Sequence, residues 1–384
     1  MTPFTANQNS LTIHVRVTKK CNADCSYCSS YENHSNDLMS LVDLEKSMIF
    51  IKKKILELNL GGTREMIAIQ YIGGEMLSVP EDYLKHFSDT IKDNLSPLFK
   101  NFIHGAQSNL IGSTRKINKL FDTFDGNVGT SFDSFTEQRT VKSNPKIYKS
   151  IFLKNVNHVK KYFGKNISGI IVIDEKMAPF VEEEIEIANK NKRHLVLRPV
   201  FDGGSPVQKL TIPELETIYE KLFDNWILKQ NIIIEPFYSY LQKRINNLKK
   251  EDTSQYSGCP SQHNCANVSM DFEPDGSLYI CQDMADSKTL KLGNALTNEF
   301  DYELFNKIKD RSNHLNSDCL SCDYFKECQG GCMKEAIEQT ADNDMYGKTL
   351  YCSIWKSIFR KIDLTIENND IKTIEIWLNK ISKY

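Results

Sequence analysis

Between residues 29 and 258 the chain has no cysteine at all. A disulfide framework spread through the fold is therefore excluded for most of its 384 residues, and so is a core that uses cysteine as ordinary filler. No apolar run approaches the ~20 residues that a membrane-spanning helix needs. An excess of positive charge is missing too. The chain has 48 Lys and Arg against 50 Asp and Glu, a formal net charge of −2, which removes the electrostatic argument for nucleic acid as a partner. Short basic runs, Lys52-Lys53-Lys54 and Lys160-Lys161, fall on helical patterns and read as solvated faces. Repeats, low-complexity stretches and a charged-then-apolar signal segment are lacking. The expected compartment is a reducing, low-oxygen cytoplasm.

What the chain does have is eleven cysteines gathered into two groups. Cys21, Cys25 and Cys28 form the pattern C-x3-C-x2-C, with Tyr27 just before the third. Three thiolates can hold three irons of a four-iron, four-sulfur cluster and leave the fourth iron open, whereas a structural cluster takes four cysteines. Open coordination is what separates catalytic metal sites from closed structural ones. The other eight are Cys259, Cys265, Cys281, Cys319, Cys322, Cys328, Cys332 and Cys352. They suffice for two fully ligated clusters, although C-x2-C pairs such as Cys319 and Cys322 also serve zinc ribbons.

The middle of the chain alternates short apolar runs with helical segments. Strands are predicted at 11–17, 67–72, 101–106, 127–132, 168–173 and 194–200, the first from Leu11, Ile13, Val15 and Val17 alternating with polar residues. Helices are predicted near 43–59, 80–95, 114–124, 146–163, 176–192 and 211–229. The last opens Thr211-Ile212-Pro213-Glu214, a capping box with an early proline. Six β-then-α units imply an α/β fold of parallel strands joined by right-handed crossovers, and the pattern alone permits an open doubly wound sheet. In parallel barrels the chemistry sits at the C-terminal ends of strands, and the three-cysteine motif follows the end of the first strand.

The cysteine triad with its preceding tyrosine resembles the signature of the radical S-adenosylmethionine (radical SAM) superfamily. The C-terminal spacing, Cys265-x10-Gly276-x4-Cys281 and then Cys319-x2-Cys322-x5-Cys328-x3-Cys332 with Cys352 beyond, is similar to the SPASM extension of radical SAM enzymes that modify peptides and proteins. This resemblance implies a partial (β/α)6 TIM-like barrel over 1–208, a helical bridge over 209–250, a SPASM domain over 251–355 and a C-terminal helical segment over 356–384. It implies three four-iron clusters, with S-adenosylmethionine (SAM) chelated at the open iron of the triad. Cys259, Cys265, Cys281 and Cys332 would hold the first auxiliary cluster, and Cys319, Cys322, Cys328 and Cys352 the second. Gly73, Gly74 and Glu75 match the family's Gly-Gly-Glu motif, which binds the SAM amino group, and glycines let a backbone approach a ligand closely. Asn109, after Ser108, and Ser131, in Ser131-Phe132-Asp133, resemble the polar strand ends that contact the SAM ribose. Arg139 is a candidate partner for the SAM carboxylate, and Leu197-Arg198-Pro199-Val200 is similar to an element near the substrate. Gly276, in Pro274-Asp275-Gly276, is expected to turn a small hairpin.

The chemistry implied is cleavage of SAM to a 5′-deoxyadenosyl radical that abstracts hydrogen from a ribosomally made peptide or protein, with a side-chain cross-link as the expected product. Reduced ferredoxin or flavodoxin is the expected electron donor. The first strand starts near residue 11, so a leader peptide, if used, is expected to bind the barrel, the bridge or a separate protein. Two other readings stay open. Anaerobic sulfatase-maturating enzymes share the eight C-terminal cysteines but carry an aspartate directly after the cysteine equivalent to Cys281; this chain has Gln282 there, and Asp283 becomes the candidate general base. A non-catalytic iron–sulfur electron carrier is the third, disfavoured by the intact triad and Gly-Gly-Glu motif.

Overall fold

The computed structural model describes residues 9–28, 30, 38–131, 133–200, 209–250, 259, 265–339 and 344–383. Phe132 and the segments at the expected 208 and 251 boundaries lie outside them. The six predicted strands are present as β1 (Ser10–Arg16), β2 (Met66–Ile72), β3 (Asn101–Gln107), β4 (Val128–Ser131), β5 (Gly169–Ile173) and β6 (Leu195–Pro199). The helices between and after them are α1 (Leu41–Glu57), α2 (Glu81–Leu95), α3 (Thr114–Thr123), α4 (Pro145–Phe163), α5 (Val181–Lys190) and α6 (Ile212–Trp226). Two ends differ from the pattern. A 3₁₀ turn over Ala178–Phe180, with Pro179 in it, delays α5, because a proline lacks the N–H of a helix interior. Leu228 sits in the left-handed region at φ 57° and stops α6 early. The capping box of α6 forms as its sequence reads: the Thr211 side chain accepts from Glu214 N, and Glu214 accepts from Thr211 N at 2.8 Å.

Consecutive strands β1 to β6 pair in parallel, and a two-residue β7 (Ile234–Glu235) extends the series ahead of helix α7 (Phe237–Lys249). The other edge of β1 is taken by β8 (Ser269–Phe272), also parallel, from the cysteine-rich region. Antiparallel β9 (Ser277–Tyr279), β10 (Gly293–Asn294) and β11 (Glu299–Phe300) follow, completing an 11-stranded sheet of order β11-β10-β9-β8-β1-β2-β3-β4-β5-β6-β7. Since β8 occupies that edge of β1, the parallel strands form a partial barrel rather than a closed one. The turn between β8 and β9 falls at Gly276, φ 82°, whose N–H donates to the Glu273 carbonyl. Helix α8 (Gln282–Ser287) starts directly after Cys281, and the chain ends in α9 (Cys352–Asn368) and α10 (Ile371–Ile381). Among the described residues no helix is long and apolar enough to cross a membrane.

Burial follows the sheet rather than the order of the sequence. One core joins β1 to β4 and α1 to α4 with Met270, Phe272, Leu278, Met333 and their neighbours. A second joins β5, β6, α6 and α7 with Ile354, Trp355, Ile358, Trp377 and Leu378 of α9 and α10. Strand β1 is covered on both faces, so the polar side of its alternation is internal: Arg16 is 1% exposed. Its Nε donates to Glu273 Oε1 at 2.7 Å, Nη1 to Ser30 Oγ at 2.6 Å, and Nη2 pairs with Asp286 Oδ1 at 2.7 Å. Lys19 pairs with the other Glu273 oxygen at 2.7 Å. Burial, then the neighbouring Glu273 carboxylate, pushes Asp271 well above the usual carboxylate range.

Removing one partner of a buried charge network leaves the others uncompensated. Arg16→Ala is expected to lower unfolding stability by about 3–5 kcal/mol, measured by denaturant titration of the anaerobic protein. A change below 1 kcal/mol, the surface-pair range, would contradict this role.

Candidate active site

The triad lies in the loop after β1, at the C-terminal mouth of the parallel strands. Its shape is held by backbone bonds. Cys28 N donates to Cys25 O at 3.1 Å, Ser26 N to Gln138 O at 2.9 Å, and Asp24–Cys25 pairs antiparallel with Arg139–Thr140. All three cysteines are free thiols. Burial pushes Cys21 up to about 12 and Cys28 up to about 11, and raises Cys25 as well. Thiolates at such positions need a cationic partner, which iron provides.

Residues from separate segments close around this loop. Gly74 N donates to Thr18 O at 2.8 Å and Glu75 N to Lys20 O at 2.9 Å, so the turn after β2 is stitched to the residues preceding Cys21. The Glu75 carboxylate is buried and accepts from Leu77 N at 2.9 Å, Ser108 Oγ at 2.7 Å and Asn109 N at 2.6 Å. Burial raises its pKa, and those bonds oppose the rise. Asn109 Nδ2 reaches Cys21 Sγ at 3.8 Å and Asn22 Oδ1 at 2.8 Å. Arg139 is buried, donates through Nε to the Tyr27 hydroxyl, and through Nη1 to Ser131 O at 3.0 Å and Tyr148 Oη at 2.8 Å. The Tyr148 hydroxyl in turn lies 3.5 Å from Asn109 O. Tyr27, Gly74, Glu75, Asn109, Ser131 and Arg139 thus share one hydrogen-bonded belt around the triad, with Gly73 at its turn. Tyr148 belongs to the belt and carried no sequence signal, since on a helical pattern it reads as core.

The glycines carry a demand that the sequence did not disclose. A Cβ on Gly74 would sit 2.0 Å from the Lys20 carbonyl oxygen, and one on Gly73, at φ 125°, 2.5 Å from Arg16 Cγ. The close approach is made by the chain's own cysteine loop.

The eight C-terminal cysteines fall into two sets. Burial raises the Cys281 and Cys332 thiols, each of which feels the exposed Cys259, while Cys259 and Cys281 both feel Cys265. Arg198, near the end of β6, faces this set and pairs with Asp283 at 3.7 Å. Asp283 is 19% exposed in its side chain, and burial, ahead of the opposing Arg198 charge, raises its pKa. Cys319, Cys322, Cys328 and Cys352 instead line one cavity with Tyr324, Phe325, Trp355 and Phe359. Among the described residues no His, Cys, Asp or Glu trio converges closely enough for a single metal ion. A cubane binds each cysteine through a different iron, so its ligands ring a volume instead. Two sets of four thiols, one around a cavity, fit that group.

No protein-family profile and no curated protein matches the chain. Solved structures do. It is similar to anSMEcpe, an anaerobic sulfatase-maturating radical SAM SPASM enzyme with bound AdoMet, with TM-score 0.73 and 17% identity over 97% of this chain and 98% of that one. The chain shares the fold of this enzyme. A second structure of anSMEcpe, with AdoMet and the Kp18Cys peptide, matches at TM-score 0.72 and 18% identity over 94% of this chain and all of the other. Streptococcus suis SuiB, a radical SAM enzyme bound to its precursor peptide SuiA, matches at TM-score 0.58 and 17% identity, over 90% of this chain and 76% of SuiB. Within this shared fold, the belt just described occupies the mouth of the partial barrel.

Because Gly74 abuts Lys20, Gly74→Val is expected to displace the loop that carries Cys21 and to reduce both SAM affinity and triad iron. Iron analysis and SAM equilibrium binding on the anaerobic protein check this. Full triad iron combined with unchanged SAM affinity would show that the contact is not limiting.

Proposed function

We propose that this protein is a radical SAM oxidase that modifies a side chain of a ribosomally synthesised peptide or protein. The observation that carries the reading is the belt around Cys21, Cys25 and Cys28, in a chain whose fold matches enzymes solved with AdoMet and with peptides. Bound to the triad, an iron–sulfur cluster and SAM supply a hydrogen-abstracting carbon radical once reduced ferredoxin or flavodoxin has delivered an electron. The chain's own residues do the rest. Asn109 and Arg139 orient the loop and the aromatic beside it, and among the described residues Arg139 Nη2 has no hydrogen-bond partner, which leaves it able to meet the SAM carboxylate. Gly73 and the peptide backbone beside it offer carbonyls to the SAM ammonium. Two sets of four cysteines, Cys259, Cys265, Cys281, Cys332 and Cys319, Cys322, Cys328, Cys352, would hold two auxiliary clusters, which would supply an acceptor for the second electron. Asp283, beside Cys281 and paired with Arg198, takes the substrate proton. The product is a side-chain cross-link two hydrogens lighter than the precursor.

Sulfatase maturation is the second reading, favoured by one observation: the fold match to anSMEcpe is the stronger, 0.73 against 0.58 for SuiB. Gln282 weighs against it, because an amide does not take up a proton as a carboxylate does. Mass spectrometry separates the two. A peptide cross-linked with loss of two hydrogens supports the first, and an aldehyde formed from a Ser or Cys peptide supports the second.

Anaerobic reconstitution is expected to load about twelve irons per chain, four per cluster. Replacing Cys21, Cys25 and Cys28 by Ala should remove about four of them and abolish 5′-deoxyadenosine formation from SAM and dithionite. Zinc in the C-terminal cysteine sets would sink the auxiliary-cluster part of the proposal.

A general base contributes roughly 10²–10⁴-fold, so Asp283→Asn should slow product formation by that order while SAM cleavage continues. Unchanged product rates would move the base elsewhere.

A further inference from the structure

Lys243, on α7, is 2% exposed, and its Nζ donates to the carbonyl of Glu327 at 3.4 Å, the residue before Cys328. An ammonium in such a place is costly unless opposite charge is close. Burial pushes its pKa down to about 8, and the first opposing influence is the Cys328 thiol, ahead of Glu327, Glu235 and Cys259. The neighbouring Arg244 accounts for much of the competing negative charge. It donates to Glu327 Oε1 at 3.0 Å and grips Asp363 through two bonds of 2.7 and 3.1 Å. The chain has therefore placed a buried ammonium against the backbone that leads into Cys328, while the Glu327 carboxylate is tied to a different cation.

We propose that Lys243 sets the reduction potential of the second auxiliary cluster by holding a buried positive charge behind Cys328. The inference rests on the reading that Cys319, Cys322, Cys328 and Cys352 hold such a cluster. Reduction adds an electron to a cluster that four thiolates already make net negative, so a fixed cation nearby stabilises the reduced form and raises the potential. Because the charge is buried, salt screens it little. Arg360 belongs to the polar pocket beside the same cysteine set and carries the same charge, but it is solvent-exposed, so its influence is expected to be small. Lys243 is a tuning residue that touches neither substrate nor SAM. Its effect would be to make the second cluster the more willing acceptor of the electron released in oxidation.

The test is a redox titration of the anaerobically reconstituted full-length protein, followed by electron paramagnetic resonance, with iron counted on each sample. Lys243→Met should move one auxiliary midpoint to more negative potential with iron unchanged, Lys243→Arg should stay near the parent, and Arg360→Met should move it less. Lys243→Gln keeps a donor for the Glu327 carbonyl and is titrated in case the methionine empties the site. Unchanged midpoints in a fully loaded neutral variant would overturn the proposal, as would an equal shift from Arg360→Met. Loss of the second cluster's iron from both neutral variants but not from Lys243→Arg would make Lys243 a folding residue and overturn it too. A parent protein with no iron on the second cysteine set would instead sink the auxiliary-cluster reading itself.

Discussion

The buried guanidinium of Arg16 is the constraint on which the arrangement depends. It leaves the end of the central strand with no route to water and must be met by carboxylates. Those carboxylates, Glu273 and Asp286, come from the far side of the sequence, and Ser30 from just beyond the triad. One charge therefore ties together the barrel, the cysteine loop and the first turn of the cysteine-rich region. The continuous sheet expresses the same fact: β8 lies on β1 as a parallel neighbour, so the cysteine-rich segment is built onto the barrel edge.

That junction sets what lies at the mouth of the barrel. Asp286 and Asp283 share the short helix α8, and Cys281 stands immediately before it. Asp286 reaches back to Arg16 beneath the triad, while Asp283 reaches across to Arg198 at the end of β6. A single helical turn thus carries a ligand of one cysteine set, a contact to the strand that feeds the triad and a contact to the opposite wall. Iron would complete these sites electrostatically, since burial alone keeps most of the cysteine thiols protonated and a bound metal reverses that preference.

Much of the fold was legible because it is local. The β–α alternation, the Thr211 capping box and the Gly276 turn each follow from a few adjacent residues and appear where those residues stand. The cysteine sets were legible for another reason: a residue absent from the whole middle of the chain carries information wherever it clusters. Less visible were groups whose meaning depends on what packs against them. Gly74 read as room for a ligand, whereas its nearest neighbour is the Lys20 carbonyl. Arg139 read as a candidate partner for the SAM carboxylate, and nothing in the sequence showed that two of its nitrogens are bound to two tyrosine hydroxyls and a carbonyl. Nothing in the residues around Lys243 marks it as lying against the turn that leads into Cys328.

By itself the sequence determined the strand and helix succession, the loop that bears the triad and the number of thiols available for metal, because propensity, capping and spacing act over a few residues. Only the tertiary structure decided that β1 has parallel neighbours on both edges and that Arg16 is buried where alternation promised a solvated side. It also decided which lysine lies behind Cys328 and which arginine faces Asp283. Those choices are made by residues tens to hundreds of positions apart, through burial and charge compensation, and no short window of sequence contains both partners.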